Sequence, residues 1–457
     1  MKAWFCDQAL LAEGWVRDVR IEVDERGDIA SVAALASPAG AERLAGPVLP
    51  GMANVHSHAF QRAMAGLAEV RGDSEDDFWT WREAMYRFVS RLEPQDAQAI
   101  ATHLYVEMLR HGYTGVAEFH YVHNDASGAP YAEPAQMLLS HLAAASAAGI
   151  AITLLPGLYQ WSNFGRRALE PRQKRFRSDV ATVLSMIDAV RRASPGDRNV
   201  RAGAAPHSLR AVDLPELQEL DAALRAEDPS APIHIHVAEQ TREVDECLAW
   251  SGKRPLELLL ETVPIDARWC IVHATHMNAA ETRALAESNA VAGFCPSTEA
   301  NLGDGIPPLL EYRAAGGRYA IGGDSHVSRN PAEELRLLEY GQRLSHRRRN
   351  LVLGSTTKAV GTALWLAAAR GGAQALGRAS GAIAANCRAD LVVLDPAHPD
   401  LAGRDADAIS NALVFSGGDR MVRDVMVGGK WQVREGHHPL QARAADDYLR
   451  AIKRLPG

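Results

Sequence analysis

His56 and His58 stand one residue apart and close the apolar run Pro47–Val55. On a strand, residues two apart share a face. Both imidazoles therefore leave the strand end side by side and can take adjacent positions on one metal ion. Imidazole suits Zn²⁺ and related first-row ions. Such a pair is a weak signal alone, and its weight depends on whether other segments supply the missing ligands.

Later apolar runs end in further polar residues: Glu118, His120 and Tyr121, then His207 and Arg210, His236 and Glu239, His273, and Asp324. His234 and His236 share a face, but only His236 closes its run. His236 reads as a ligand, and His234, one pleat repeat deeper, fills the interior. Glu239 lies too far along to be a same-face ligand and is better placed as a proton carrier. Asp324 follows Gly322 and Gly323, which let backbone and ligand approach closely. A carboxylate there can orient a metal's water and accept its proton; capping the next helix is the alternative. His273 is open to two roles, further ligand or hydrogen-bonding electrophile. His276 is expected near the site or at the surface. His103, His111, His141, His346, His398, His437 and His438 have no comparable context.

Eight apolar runs carry these ends: 48–55, 115–120, 151–158, 200–205, 233–237, 269–272, 290–294 and 318–321. Helical patterns such as 94–111, 134–148 and 179–193 separate them. That count and alternation predict an α/β fold, a (β/α)8 TIM barrel, whose chemistry sits at the C-terminal strand ends. The chain ends have another rhythm. Alternating strands at 14–23 and 29–32 are matched by 389–395, 422–427 and 430–433. The expected division is a small β-domain from residues 1–46 and 383–457, with the barrel at 47–382.

The chain has 457 residues, with 47% hydrophobic and 23% charged, ordinary for a globular protein. A net charge of −7 argues against a nucleic-acid or anionic-membrane surface. Basic clusters at Arg166–Arg167, Arg172–Arg177 and His346–Arg349 read as solvated faces. No run reaches the roughly 18–20 apolar residues of a membrane span, and the N-terminus lacks a signal pattern. Five cysteines without a CxxC suggest reduced thiols in a cytoplasmic protein.

These motifs together resemble the amidohydrolase superfamily over essentially the full chain. The carrying stretches are Leu49–His58, His236–Glu239, Val272–His273, Gly322–Asp324 and Ala389–Leu394. The resemblance implies a barrel with a small β-sandwich domain formed by both termini. No bridging lysine stands at the fourth strand, where Pro206-His207 occurs, so the mononuclear deaminase branch is implied. Its metal site would be His56, His58, His236 and Asp324 around one divalent ion, Zn²⁺ by expectation. Within that branch, 54–64, 78–83, 118–123, 205–210 and 294–303 are similar to enzymes that hydrolyse N-formimidoyl-L-glutamate.

The implied reaction releases ammonia from a linear amidine. Asp324 would take the water proton, His273 would orient the water or stabilise the intermediate, and Glu239 would deliver a proton to the leaving nitrogen. A substrate with two carboxylates calls for local positive charge. Arg82, Arg210 and His207 are the candidates, with Gln61 and Tyr121 as neutral donors. The family also suggests a homodimer. The rival reading is a deaminase of the same branch acting on a purine, pterin or S-adenosylhomocysteine-like substrate. A barrel retained only as a scaffold would be expected to have lost ligands, and none of these is missing.

Overall fold

The protein is described from a computed structural model over residues 1–71, 77–355, 357–417 and 421–455. Its centre is a ring of parallel strands: β1 (Met52–Ser57), β2 (Tyr113–His120), β3 (Ala151–Leu158), β4 (Val200–Ala202), β5 (Ile233–Val237), β6 (Trp269–His273), β7 (Val291–Phe294) and β8 (Arg318–Ile321). β1–β4 pair in order, and β5–β8 do the same. Isolated bridges join the halves, Ala204 to Ile233 and Ser208 to His236 on one side and Ser57 to Asp324 on the other. The strands are aliphatic on both faces because helices cover them outside and side chains fill them inside.

Two runs that the sequence presents as continuous are divided, each at a glycine. The first, 48–55, breaks at Gly51, where a β-carbon would lie 2.3 Å from Thr114 Oγ1. Val48–Pro50 belongs to the terminal sheet, between Lys2–Leu11 and Leu391–Leu394, and only Met52–Ser57 enters the barrel. The change of sheet therefore comes at Gly51 rather than at the expected 46/47 boundary. The fourth run breaks at Gly203, because a β-carbon there would lie 2.2 Å from the Pro232 carbonyl oxygen. Ala204 crosses to the fifth strand, and Ala205–Pro206 returns to pair with β3.

The terminal strands form one mixed sheet in the order Lys430–Val433, Val422–Val427, Leu391–Leu394, Val48–Pro50, Lys2–Leu11, Gly14–Val23, Ile29–Ala33. Trp4 and Trp431 lie four strands apart in that order, roughly 19 Å in a flat sheet. Their rings nevertheless meet edge to face at 6.3 Å. The sheet is thus curled over a core that includes Cys6, Ile21, Val48, Leu391 and Met426. Its two turns touch: a β-carbon on Gly27 (φ +81°) would strike the Gly428 carbonyl.

The C-terminal stretch does not lie wholly with that sheet. Helix Gln441–Ile452 packs on the barrel helix Pro94–Arg110, with Tyr448 and His103 rings 4.6 Å apart.

Candidate active site

β1 ends in His56-Ser57-His58, and the alternation of side chains sends Ser57 away from the two imidazoles. Ser57 Oγ donates to Glu118 Oε2 at 2.6 Å and meets His326 Nε2 at 2.8 Å. Glu118 also accepts from the Ala59 amide at 2.9 Å and from Tyr105 Oη at 2.9 Å. Burial pushes its carboxyl up to about 7 against these hydrogen bonds. His141, which the sequence leaves without a role, sits 3.5 Å from Tyr105 Oη and 3.8 Å from Glu118 Oε1. One buried acid thus ties the ligand strand to its neighbours.

The imidazoles are oriented through their outer nitrogens. His58 Nδ1 donates to the Phe119 carbonyl at 2.7 Å, and His236 Nδ1 to the His207 carbonyl at 2.7 Å. A carbonyl only accepts, so each proton is on Nδ1 and each Nε2 presents a bare lone pair. Burial lowers the pKa of His56, His58 and His236. His236 Nε2 lies 3.0 Å from His56 Nε2 and 3.4 Å from His58 Nε2. Asp324 Oδ1 lies 3.3 and 3.5 Å from the same two nitrogens. Lone pairs and a carboxylate at such distances repel unless a cation lies among them. Bonds of about 2.0–2.1 Å to a tetrahedral zinc place ligand atoms about 3.3 Å apart. The donor set therefore fits a divalent ion in chemistry and in spacing.

Asp324 reaches this position on strained backbone, with φ +49°. The two glycines before it run close under β1. A β-carbon on Gly322 would lie 2.8 Å from His56 Cβ and 3.0 Å from its amide nitrogen. Gly322→Ala should displace His56, lower stability by about 1–3 kcal/mol and weaken metal binding. Thermal unfolding and a metal titration check this, and wild-type values in both would disprove the close-approach argument.

His273 (φ +70°) turns its ring between carboxylates. Its Nε2 faces Glu239 Oε1 at 3.7 Å and Asp324 Oδ2 at 3.9 Å, while Nδ1 donates to Glu299 Oε1 at 3.3 Å. Burial alone would lower its pKa, but Glu239, Glu299 and Asp324 together outweigh it and hold it near 10. Burial raises Glu239 to about 7, against the pull of His273. His273 is thus a donor beside the His/Asp cluster. His234 Nε2 instead meets the Ala375 carbonyl at 2.8 Å, filling the interior as expected.

One pocket brings together His58, His236, Glu239, His273 and Asp324 with Gln61, Arg82, Tyr121, His207 and Arg210. Gln61 Nε2 donates to Tyr121 Oη at 3.0 Å. His207 is kept neutral by burial and by Arg210, between the Tyr121 and Tyr159 rings. Arg82 and Arg210 lie over the Trp79 ring at 4.5 and 5.7 Å. Among the described residues no carboxylate pairs with Arg82, and Arg210 has only Glu243, at 3.9 Å. Both Nε atoms are buried without a hydrogen-bond partner. Arg82 is half-buried in the pocket wall on helix Phe78–Val89.

Sequence reasoning gave no role to Glu299, nor to Tyr159, Trp81 and Tyr86, which line the same pocket. Tyr159 directly follows the third run, and Glu299 lies in the 294–303 stretch, so position marked both without chemistry to recruit them. His326 had no signal beyond its nearness to Asp324.

Residues 48–432 match the amidohydrolase family, and residues 1–46 match the N-terminal domain of formimidoylglutamate deiminase HutF. The chain is 52% identical over 455 residues, spanning 100% of both chains, to the formimidoylglutamate deiminase of Pseudomonas aeruginosa. It is 30% identical over 386 residues to a 5-methylthioadenosine/S-adenosylhomocysteine deaminase of Natronomonas pharaonis, covering 84% of this chain and 80% of that one. The crystal structure of an amidohydrolase from Brucella melitensis superposes with a TM-score of 0.93 at 44% identity, covering 99% of each chain.

Proposed function

We propose a reaction from the premise that this chain belongs to the amidohydrolase family. It hydrolyses N-formimidoyl-L-glutamate to N-formyl-L-glutamate and ammonia, a step of histidine degradation. The observation that carries this reading is the pair Arg82 and Arg210, largely free of acid partners among the described residues, in the pocket that holds the His/Asp cluster. A planar base would need stacking and neutral donors; two available guanidinium groups suit two carboxylates.

In this reading His56, His58, His236 and Asp324 would hold one divalent ion, Zn²⁺ for preference, which would supply a water of near-neutral pKa. Asp324 keeps Oδ1 among the donors and uses Oδ2 to accept the water proton. His273 Nε2 donates to the developing charge at the attacked carbon's substituent. Glu239, within 3.7 Å of His273, passes a proton to the departing nitrogen so that ammonia leaves as a neutral molecule. Arg82, Arg210 and His207 fix the glutamate moiety, and Gln61 and Tyr121 complete the wall.

No described helix is long and apolar enough to cross a membrane. A homodimer in the cytoplasm, serving a small dianionic substrate and neither nucleic acid nor membrane, is part of the same proposal.

The test is to incubate the metal-analysed protein with N-formimidoyl-L-glutamate and with a panel of aminated purines and pterins. Equimolar ammonia and formylglutamate support the reading, and release from the bases alone overturns it. Arg210→Met should lower kcat/KM by about 10²-fold, mostly through KM, with metal content unchanged. An unaltered kcat/KM would remove Arg210 from the substrate site.

A further inference from the structure

We infer that Glu299 is a positioning residue for the reaction, acting through the outer nitrogen of His273; the inference rests on the proposed deimination. Glu299 lies at the start of helix Pro296–Leu302, just after β7, and is 3% exposed. Its Oε1 accepts from the Cys295 amide at 2.8 Å and from His273 Nδ1 at 3.3 Å. The first bond anchors the carboxylate to the end of β7. The second connects it to a ring at the end of β6, so the acid spans two barrel strands.

The chemistry of that ring makes the connection consequential. A carboxylate facing Nδ1 requires a proton there. Nε2 is buried, has no hydrogen-bond partner, and is the atom aimed between Glu239 and Asp324. Without an acceptor at Nδ1 the ring loses the hydrogen bond that sets its tautomer and helps to fix its rotation. Glu239 and Asp324 face only Nε2, and His236 stacks on the ring at 5.6 Å, so none of these accepts from Nδ1. Glu299 thus does for His273 what the Phe119 and His207 carbonyls do for His58 and His236. It differs from them in carrying charge, which also favours a ring that holds protons on both nitrogens.

A gradient of substitutions tests this. Glu299→Gln keeps an oxygen that can accept from both donors, and kcat should fall by about tenfold. Glu299→Leu removes the acceptor, and kcat should fall by about 10³-fold, with KM and bound metal close to wild type. In His273→Ala, adding Glu299→Leu should cost almost nothing further, because a residue that acts only through the ring loses its effect with the ring. Full additivity in that double variant, or a Glu299→Leu enzyme with wild-type kcat, overturns the inference. A substrate-free readout separates this from an error in the reaction itself. Proton NMR of the wild type should show a low-field ring N–H signal that is absent from both His273→Ala and Glu299→Leu. Persistence of that signal in Glu299→Leu also overturns the inference. Lack of deimination by the wild type, with the signal behaving as stated, would instead fault only the substrate.

Discussion

A His236→Ala variant is expected to be isolated without stoichiometric metal and with kcat lowered by at least about 10⁴-fold. His236 Nε2 makes a close approach within the His/Asp cluster, 3.0 Å from His56 Nε2. Removing it leaves two imidazoles and one carboxylate, and opens the side of the cluster that faces the pocket. The outer-nitrogen bond to the His207 carbonyl is lost as well, so His207 and the loop behind it lose an anchor. Metal analysis and ammonia release must fall together. A variant that keeps one ion per chain, or that works without one, would show His236 to be no ligand. His236→Gln, closer in size, guards against reading a cavity effect as a metal effect.

Glu239→Gln should give the opposite combination: full metal content and kcat lowered by about 10³-fold, the range for loss of a positioned general acid. Glu239 is not one of the four ligands proposed above, and its amide is held by Glu243 at 3.1 Å. Glutamine preserves the shape and that backbone bond, but it has no carboxyl proton to give. Burial keeps the native carboxyl near 7, so it can carry the proton at neutral pH. Single-turnover measurements should place the loss in the chemical step, with KM changed little. Loss of metal from Glu239→Gln would move Glu239 into the ligand set, and unchanged kcat would remove it from the proton path.

The His/Asp cluster was legible in the sequence because its residues terminate apolar runs, and a barrel brings strand ends together whatever their separation along the chain. His56 and His236 are 180 residues apart, yet each lies at the C-terminal end of a buried strand. The same logic could not place Glu299 or Glu118, whose roles depend on which neighbour their carboxylates face. Nor could hydrophobic pattern reveal the breaks at Gly51 and Gly203. Both runs remain apolar across the break, and only the close approach of Thr114 or Pro232 shows that the chain changes partner. Arg82 was visible only through the resemblance, since a helix position says nothing of which side meets the pocket. The C-terminal helix was assigned with the small domain by proximity in sequence, whereas its contacts are with the barrel.

The curled terminal sheet imposes an order on biosynthesis. Val48–Pro50 is flanked on one side by the N-terminal hairpin, but its other edge waits for Leu391–Leu394. On a ribosome adding about 5–20 residues per second, that partner emerges roughly 20–70 s later. Throughout that interval the nascent chain carries an apolar strand edge able to pair with any other exposed strand. The whole barrel must be made while the first 50 residues lack their completing neighbours. Expression at lower temperature or with added chaperone should therefore raise soluble yield more than stabilising the barrel would.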